Sequence, residues 1–288
     1  MKKSVLNAKK SVLNAETVGQ FRRHLEREEK SAATIEKYIR DVKAFSSYIK
    51  TASVTKDAVI GYKQKLLDSG YAIRSVNSML ASLNCLFTFL GRTDLKVKSL
   101  KIQAPVFCPE EKELSKAEYE RLCRAAEQKH NERLSLILQT ICSTGIRVSE
   151  LRYITAEAVR EGKAEVSLKG KTRSVLLPDS LRKKLLRYVR QQGTESGPVF
   201  VTRNGKAISR TNIWRDMKSL CEEAGVDPGK VFPHNLRHLF ARMFYKLEKD
   251  IAKLADVLGH SSVNTTRLYI ISSGIEHRHC IEKMQLVI

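Results

Sequence analysis

From Glu16 to about Leu100 the chain keeps a helical period with little interruption, and that stretch leaves few folds open to it. Val18, Phe21 and Leu25 form one apolar stripe, broken around Glu29-Lys30-Ser31. Ser31 then precedes Ile35, Tyr38, Ile39, Val42, Phe45 and Ile49, spaced by three and four. A third run lies near Thr55–Ser69 and stops at Gly70. A fourth begins at Ile73, offers Met79, Leu80, Leu83, Leu86, Phe87 and Leu90 as its buried face, and stops at Gly91. Four amphipathic helices this close together predict a compact bundle. From Lys96 to Pro109 the period is lost and Pro105 and Pro109 appear, which is the composition of a linker.

Beyond the linker the pattern is mixed. Ser115 with Glu118 three residues on is a capping-box start, for helices at about 116–127 and 131–143. Ala164–Leu168 alternates as a strand, Lys169-Gly170-Lys171-Thr172 turns, and Arg173–Leu177 returns. Leu181–Gln191 is a basic amphipathic helix, and Val199–Thr202 reads as a short strand. Ser209 caps a helix running through Glu223 to Gly225, with Trp214 expected in the core rather than against a base. The expected fold class is mainly α with a small β-hairpin. It divides into an N-terminal arm at 1–15, a helical bundle at 16–100, a linker at 101–112 and an α+β domain at 113–288. A chain of 288 residues is long enough for two such domains.

Charge narrows the partner. Lys and Arg number 52 against 31 Asp and Glu, a net +21. The first 104 residues hold 20 against 9, or +11, so the remaining 184 carry +10 and the smaller part is the more densely basic. A surplus of this size points to a polyanion, nucleic acid ahead of an anionic membrane. Lys37, Arg40, Lys43, Lys63 and Arg74 interrupt the apolar faces of the bundle and are candidate phosphate contacts, with an ordinary solvated position as the alternative for each. Two basic domains on a strap would close around a duplex. No run of eighteen apolar residues exists, and the N-terminal lysines precede no apolar core with a cleavage site. The six cysteines form no C-x-x-C pair and read as small hydrophobes in a reducing, cytoplasmic compartment. His277-x-His279-Cys280 lacks a second half, so no metal is expected. Residues 2–8 recur unchanged as 9–15, either an arm for DNA or a product of replication slippage, and are expected to lack fixed structure.

The chemistry-bearing residues gather late. His234 and Arg237 stand three apart and share a helical face. Leu258-Gly259-His260 reads as a helix end with His260 just past the stop. Asn264-Thr265-Thr266 starts another helix, and Tyr269 follows it. Thr144-Gly145-Ile146-Arg147 puts a second arginine after a turn, where Glu150 can hold it. A guanidinium fork matches two phosphate oxygens. A tyrosine of pKa about 10 needs help to become a nucleophile. Together these side chains suit gripping a phosphate and attacking it. Singly each has a plainer use: Arg147 in a surface pair with Glu150, His234 as a cap after Pro233, Tyr269 as a core residue. His238 is read as structural and Tyr245 as buried. Arg210 and Thr211 at a helix start, with Lys171 and Arg173 on the hairpin, are further candidate DNA contacts.

Thr-Gly-Ile-Arg-x-Ser-Glu-Leu, His-x-Leu-Arg-His and Leu-Gly-His-Ser-Ser followed by Tyr, in that order and spacing, resemble the tyrosine recombinase (phage integrase) family, especially its two-domain Xer-like members. The match runs from about Leu114 to Tyr269. A weaker one reaches back to Glu16, where Thr34-Ile35-x-x-Tyr38 through Phe45 is similar to the family's core-binding, SAM-like domain. The resemblance implies Arg147, Lys169, His234, Arg237, His260 and the nucleophile Tyr269 as the catalytic set, supported by Glu150. The family keeps its general acid on the hairpin. Lys169 fits that place best, but Lys171 competes with it in a turn about one residue shorter than in many relatives. The implied reaction is site-specific recombination through a 3′-phosphotyrosine, resealed by another strand's 5′ hydroxyl without ATP, metal or cofactor. Implied partners are duplex DNA with inverted-repeat core sites, sister copies in a tetramer docked through the tail from Ile275 to Ile288, and optionally a DNA-bending or directionality factor. Type IB topoisomerase-like relaxation and a catalytically silent DNA-binding regulator are the alternatives. The helical N-terminal domain speaks against the first and Tyr269 against the second. The target site, and the choice among integration, excision, inversion and chromosome resolution, stay open.

Overall fold

The computed structural model describes residues 13–50, 54–102, 110–168, 171–270 and 282–284. The chain divides into two compact units, Met1–Ala104 and Pro105–Ile288, each with its own apolar core.

The first unit holds helices α1 (Ala15–Arg27), α2 (Ala32–Ile49), α3 (Lys56–Asp68) and α4 (Ile73–Phe89). Asn14, Ser31 and Thr55 each accept a hydrogen bond from the backbone N–H three residues on, which fixes where α1, α2 and α3 begin. The stripes legible in the sequence close on one another, burying Phe21, Leu25, Val42, Phe45, Val59, Leu80, Leu83, Leu86 and Phe87. Leu13 is buried with them, and its carbonyl accepts from Ser46 Oγ at 3.0 Å. The arm expected over 1–15 is therefore shorter: residues 13–15 belong to the fold. Residues 1–12, with most of the duplication, lie outside the described residues.

Asp41 on α2 is a buried carboxylate, and it explains a correction. Its Oδ2 accepts from Lys37 Nζ at 2.6 Å and from Ser82 Oγ at 2.8 Å. Lys37 Nζ also donates to Ser78 O at 2.8 Å and Ser82 Oγ at 3.0 Å, so its three protons are spent inside the bundle. Lys37 is a structural tie from α2 to α4, a role the expectation of a phosphate contact did not include. Lys63 donates to Lys98 O at 3.0 Å, while Arg40, Lys43 and Arg74 remain exposed. After α4 the chain does not become a strap at once. Asn77 and Asn84, two turns apart on α4, exchange paired hydrogen bonds with the backbone of Leu100 and Val97. The linker thus begins later than the loss of period at Lys96 suggests.

The second unit opens on α5 (Lys116–Gln128) and α6 (Glu132–Thr144), with the Ser115–Glu118 capping box formed in both directions. A 3-10 turn over Val148–Tyr153 leads to α7 (Ala156–Glu161) and an antiparallel hairpin of β1 (Lys163–Leu168) and β2 (Lys171–Leu176), with Lys163 opposite Leu176. Then come α8 (Asp179–Gln191), α9 (Arg210–Lys218), α10 (Cys221–Ala224), α11 (Pro233–Glu248), α12 (Ile251–Leu258) and α13 (Val263–Arg267).

Four expectations change here. The strand over 199–202 reduces to a single bridge, Val201 with Ala207. The helix from Ser209 through Glu223 is two helices, because Lys129 Nζ takes the Ser219 carbonyl at 2.8 Å and Ser219 Oγ bonds back to Asp216 O. Trp214 is 48% exposed, not in the core: Ile213 and Met217 occupy the inward face of α9, and Trp214 lies about a hundred degrees round from Ile213 with Lys218 Nζ 5.3 Å from its ring. Tyr245 is half-buried against the cluster of Ala241, Leu254, Leu258 and Tyr269 rather than enclosed.

Candidate active site

The site forms where the ends of α6 and α12 meet the start of α11. Gly145 closes α6 in the left-handed region, φ +65°, where a side chain would also strike Phe240 of α11. That close approach lets Arg237, on α11 and 1% exposed, reach across to the carbonyls that end both helices. Nη1 donates to Gly145 O at 2.5 Å, and Nη2 donates to Leu258 O at 2.7 Å. Helix C-termini carry unpaired carbonyls and partial negative charge, so a buried guanidinium finds its counter-charge there without a carboxylate. Nε of Arg237 is buried with no acceptor. Burial, then the neighbouring Arg147, lowers the Arg237 pKa to about 10.

Arg147 follows the same turn. Glu150, 1% exposed, accepts from the Arg147 backbone N–H at 2.9 Å and from its Nη1 at 2.8 Å. The second oxygen of that carboxylate also takes Arg173 Nη2 at 2.6 Å. Burial pushes the Glu150 pKa up, but the backbone donor and the two guanidiniums outweigh it and hold the group below the usual carboxylate range. Arg147's plainer reading was a surface pair; the structure makes it a half-buried bridge, with Arg147 itself partly open to water.

Three successive carbonyls at the end of α12 are each gripped by a different arginine. Val257 O accepts from Arg173 Nη1 at 3.1 Å, Leu258 O from Arg237, and Gly259 O from Arg147 Nη2 at 3.4 Å. His260 comes next. Its Nε2 lies 2.9 Å from Arg237 Nη2, and arginine has nothing to accept with, so Nε2 must be the acceptor. The proton is then on Nδ1, donated to Thr266 Oγ1 at 2.9 Å. The ring is neutral, in agreement with a pKa lowered to about 4 by burial and then by Arg237, Arg147 and Arg173.

Tyr269, 7% exposed, sits among these groups. Its ring stacks on His238 at 4.2 Å and 30°, lies 5.2 Å from His234 and 4.9 Å from His260, and has the Arg237 guanidinium 5.9 Å from its centroid. Burial and then His234 lower the His238 pKa to about 4. His234 is exposed on the rim, and the surrounding protein, then Arg237, Arg147 and Arg210, depress it too. Three guanidiniums, three neutral imidazoles and one carboxylate leave an excess of positive charge around a phenol. Such a site awaits an anion.

The structure brings Arg147, His234, Arg237, His260, Tyr269 and Glu150 together. It adds Arg173, expected as a DNA contact and instead drawn inside. Lys169 lies outside the described residues, and Lys171 is described only in the backbone of β2. Arg210 and Thr211 are exposed at the start of α9. Thr266, fully buried under His260, and the stacking role of His238 escape a reading of the sequence. The one signal for His238 is its place four residues after His234, a turn along the same face. Among the described residues no cluster of histidine, cysteine and acidic side chains is arranged to hold a metal, and no helix is long and apolar enough to cross a membrane.

Residues 112–274 match the model of the phage integrase family, and residues 18–94 match that of the phage integrase N-terminal SAM-like domain. Tyrosine recombinase XerA of Pyrococcus furiosus is 30% identical over 97% of both chains. Tyrosine recombinase XerD of Pseudomonas putida is 30% identical over 81% of this chain and 84% of its own. Among solved structures, a XerA recombinase aligns with TM-score 0.54 at 24% identity, covering 95% of this chain and 99% of that one. A lambda integrase dimer on a COC′ core site aligns with TM-score 0.71 at 18% identity, covering 88% and 76%. XerH bound to its difH substrate aligns with TM-score 0.70 at 18% identity, covering 94% and 85%.

Proposed function

The chain belongs to the phage integrase family and is a site-specific tyrosine recombinase, and from that premise we propose that it cuts and rejoins duplex DNA through Tyr269. One observation carries the reading: a nearly buried phenol is stacked on one imidazole, flanked by two more, and set under a buried guanidinium. The scissile phosphate enters as an anion where positive charge is in excess. Arg147, which keeps an open edge, and Arg237 bind its non-bridging oxygens, and the buried Nε–H of Arg237 gains the acceptor it lacks. His260 supports the same group in its other tautomer: once Arg237 turns to the phosphate, the ring proton moves to Nε2, which donates to a non-bridging oxygen while the Thr266 hydroxyl donates to Nδ1. Neutral His234 is competent to accept the phenolic proton. Tyr269 Oη then bonds to phosphorus, the bond to the 5′ oxygen breaks, and a hairpin lysine protonates that oxygen. Lys169 is the proposed acid, with Lys171 its rival. The phosphotyrosyl bond conserves the energy of the one broken, so an incoming 5′ hydroxyl reverses the step. Most of the rate comes from positioning and charge stabilisation.

Partners follow from this chemistry. Exchange between two duplexes needs four cuts, so we place the active form in a tetramer on paired inverted-repeat sites, in the cytoplasm. The tail from Ile275 to Ile288 is the proposed link between copies, and apart from residues 282–284 it lies outside the described residues. The test is incubation with nicked duplexes from the DNA flanking the gene, followed by denaturation and a search for a covalent protein–DNA band. Wild-type protein is expected to form it and Tyr269→Phe to form none; an adduct that survives in Tyr269→Phe removes the nucleophile from this reading. Deleting 275–288 is expected to spare cutting of single sites and abolish cooperative pairing.

A further inference from the structure

Arg173 stands outside the reaction just described, yet it is bonded to two of the elements that build the site. It leaves strand β2 and spans two elements at once: Nη2 to Glu150 Oε2 at 2.6 Å, Nη1 to Val257 O at 3.1 Å. Its side chain is 16% exposed and each terminal nitrogen donates to an acceptor within the protein, so it is turned inward. The chain also makes room for it. Gly259, φ +64°, lies so close to the Arg173 side chain that any Cβ there would collide with its Cδ and Nε. A glycine immediately before His260 is therefore required twice, by backbone sign and by this arginine.

We propose that Arg173 is a positioning residue for DNA cleavage: it fixes Glu150 and the turn at 257–260 so that Arg147 and His260 meet the phosphate already oriented. This rests on the reading of Arg147, His260 and Tyr269 given above. Glu150 can hold the Arg147 guanidinium in one pose only if its second oxygen is also held. That oxygen takes the Arg147 backbone N–H within its own turn and Arg173 from strand β2; only Arg173 anchors it outside the turn, and its other nitrogen ties the same bridge to the carbonyl row that precedes His260. Lysine cannot do both, because a single ammonium on a flexible stem has no planar fork to reach two acceptors in fixed directions.

The test uses full-length Arg173→Lys and Arg173→Met, Glu150→Gln, and the double variant Arg173→Lys/Glu150→Gln on the nicked duplex that captures wild-type protein. With DNA saturating, Arg173→Lys is expected to form the covalent adduct about 10- to 100-fold more slowly, the scale of a catalytic group displaced by an ångström. Its DNA dissociation constant is expected within about threefold of wild type, because Arg173 does not itself touch DNA. The double variant is expected to match the slower single variant, since residues acting as one unit do not multiply their effects. On duplex with a methylphosphonate at the cleaved position, which lacks one charged oxygen, the deficit is expected to shrink to about threefold or less, because less charge awaits Arg147. A purely structural role would slow both DNAs alike and follow the melting temperature. If Arg173→Met does not fold, Arg173→Lys, which keeps the charge and reach, decides. Wild-type rates in Arg173→Lys, multiplying deficits, or an unchanged deficit on methylphosphonate DNA would each overturn the proposal while leaving Tyr269 chemistry intact. Absence of any adduct with wild-type protein would instead overturn the function beneath it.

Discussion

At Tyr269 the surrounding imidazoles are kept neutral by the same features that will hold a phosphate. His238 and His260 are lowered to about 4, and His234 is lowered too, by burial and by guanidiniums. An imidazole that resists protonation in the folded state binds fewer protons there than in the unfolded chain. Stability is thus full above about pH 6.5, falls as pH drops toward 4, and levels off below it. Denaturant titrations at pH 7 and pH 5 are expected to differ by on the order of 2 kcal/mol, below the unscreened limit because both rings keep some water contact. A flat profile across that window would contradict neutral, strained imidazoles. Thr266 sets which nitrogen of His260 carries the proton. In Thr266→Val, nitrogen NMR of His260 is expected to lose the single Nδ1–H form and show a mixture, and cleavage is expected to slow about tenfold.

Elements matter here mainly at their ends. The closing carbonyls of α6 and α12 serve as ligands for arginine, which works only while α6, α11 and α12 keep their close approach. Gly145→Ala combines a left-handed backbone with a clash on Phe240, and is expected to cost about 2–4 kcal/mol in chemical denaturation. In the first unit, Lys37 and Asp41 join α2 to α4. Lys37→Met strands a buried carboxylate and is expected to destabilise that unit by about 3 kcal/mol while leaving the salt dependence of DNA binding unchanged. Arg40→Ala on the same helix is expected to do the reverse: stability within about 0.5 kcal/mol of wild type and a salt slope shallower by about 0.9. Equal slopes for wild type and Arg40→Ala would remove Arg40 from the DNA face.

Across the whole molecule the two units share the labour unequally. The smaller, 1–104, carries +11 and none of the proposed catalytic groups; the larger holds all of them and +10. Because 105–288 has a self-contained core, it is expected to fold alone and to form the Tyr269 adduct at high DNA concentration. Its affinity is expected to be lower and its salt slope shallower than those of the full chain, by about 0.9 for every phosphate that the first unit neutralises. Fluorescence anisotropy between about 50 and 200 mM salt checks this. Identical slopes for the fragment and the full chain would mean the first unit does not touch DNA.

The sequence by itself determined where the helices lie and which residues carry chemistry. Periods of three and four residues, the Ser31, Ser115 and Ser209 caps and the stops at Gly145 and Gly259 are all local, each decided within a turn or so of chain. The motif residues could be named for the same reason, since their spacing is written along the strand. What only the tertiary structure decided was the company each side chain keeps. Lys37 looked like a free cation until Ser82, 45 residues away, and Asp41 took it; Trp214 looked like core until Ile213 and Met217 claimed the inward face. Arg173 looked like a hand held out to DNA until Glu150 and Val257 closed on it, the latter from 84 residues off. Burial and hydrogen-bond partnership are set by which segments meet in space, and the energies that choose those meetings are summed over a whole core that no short pattern contains.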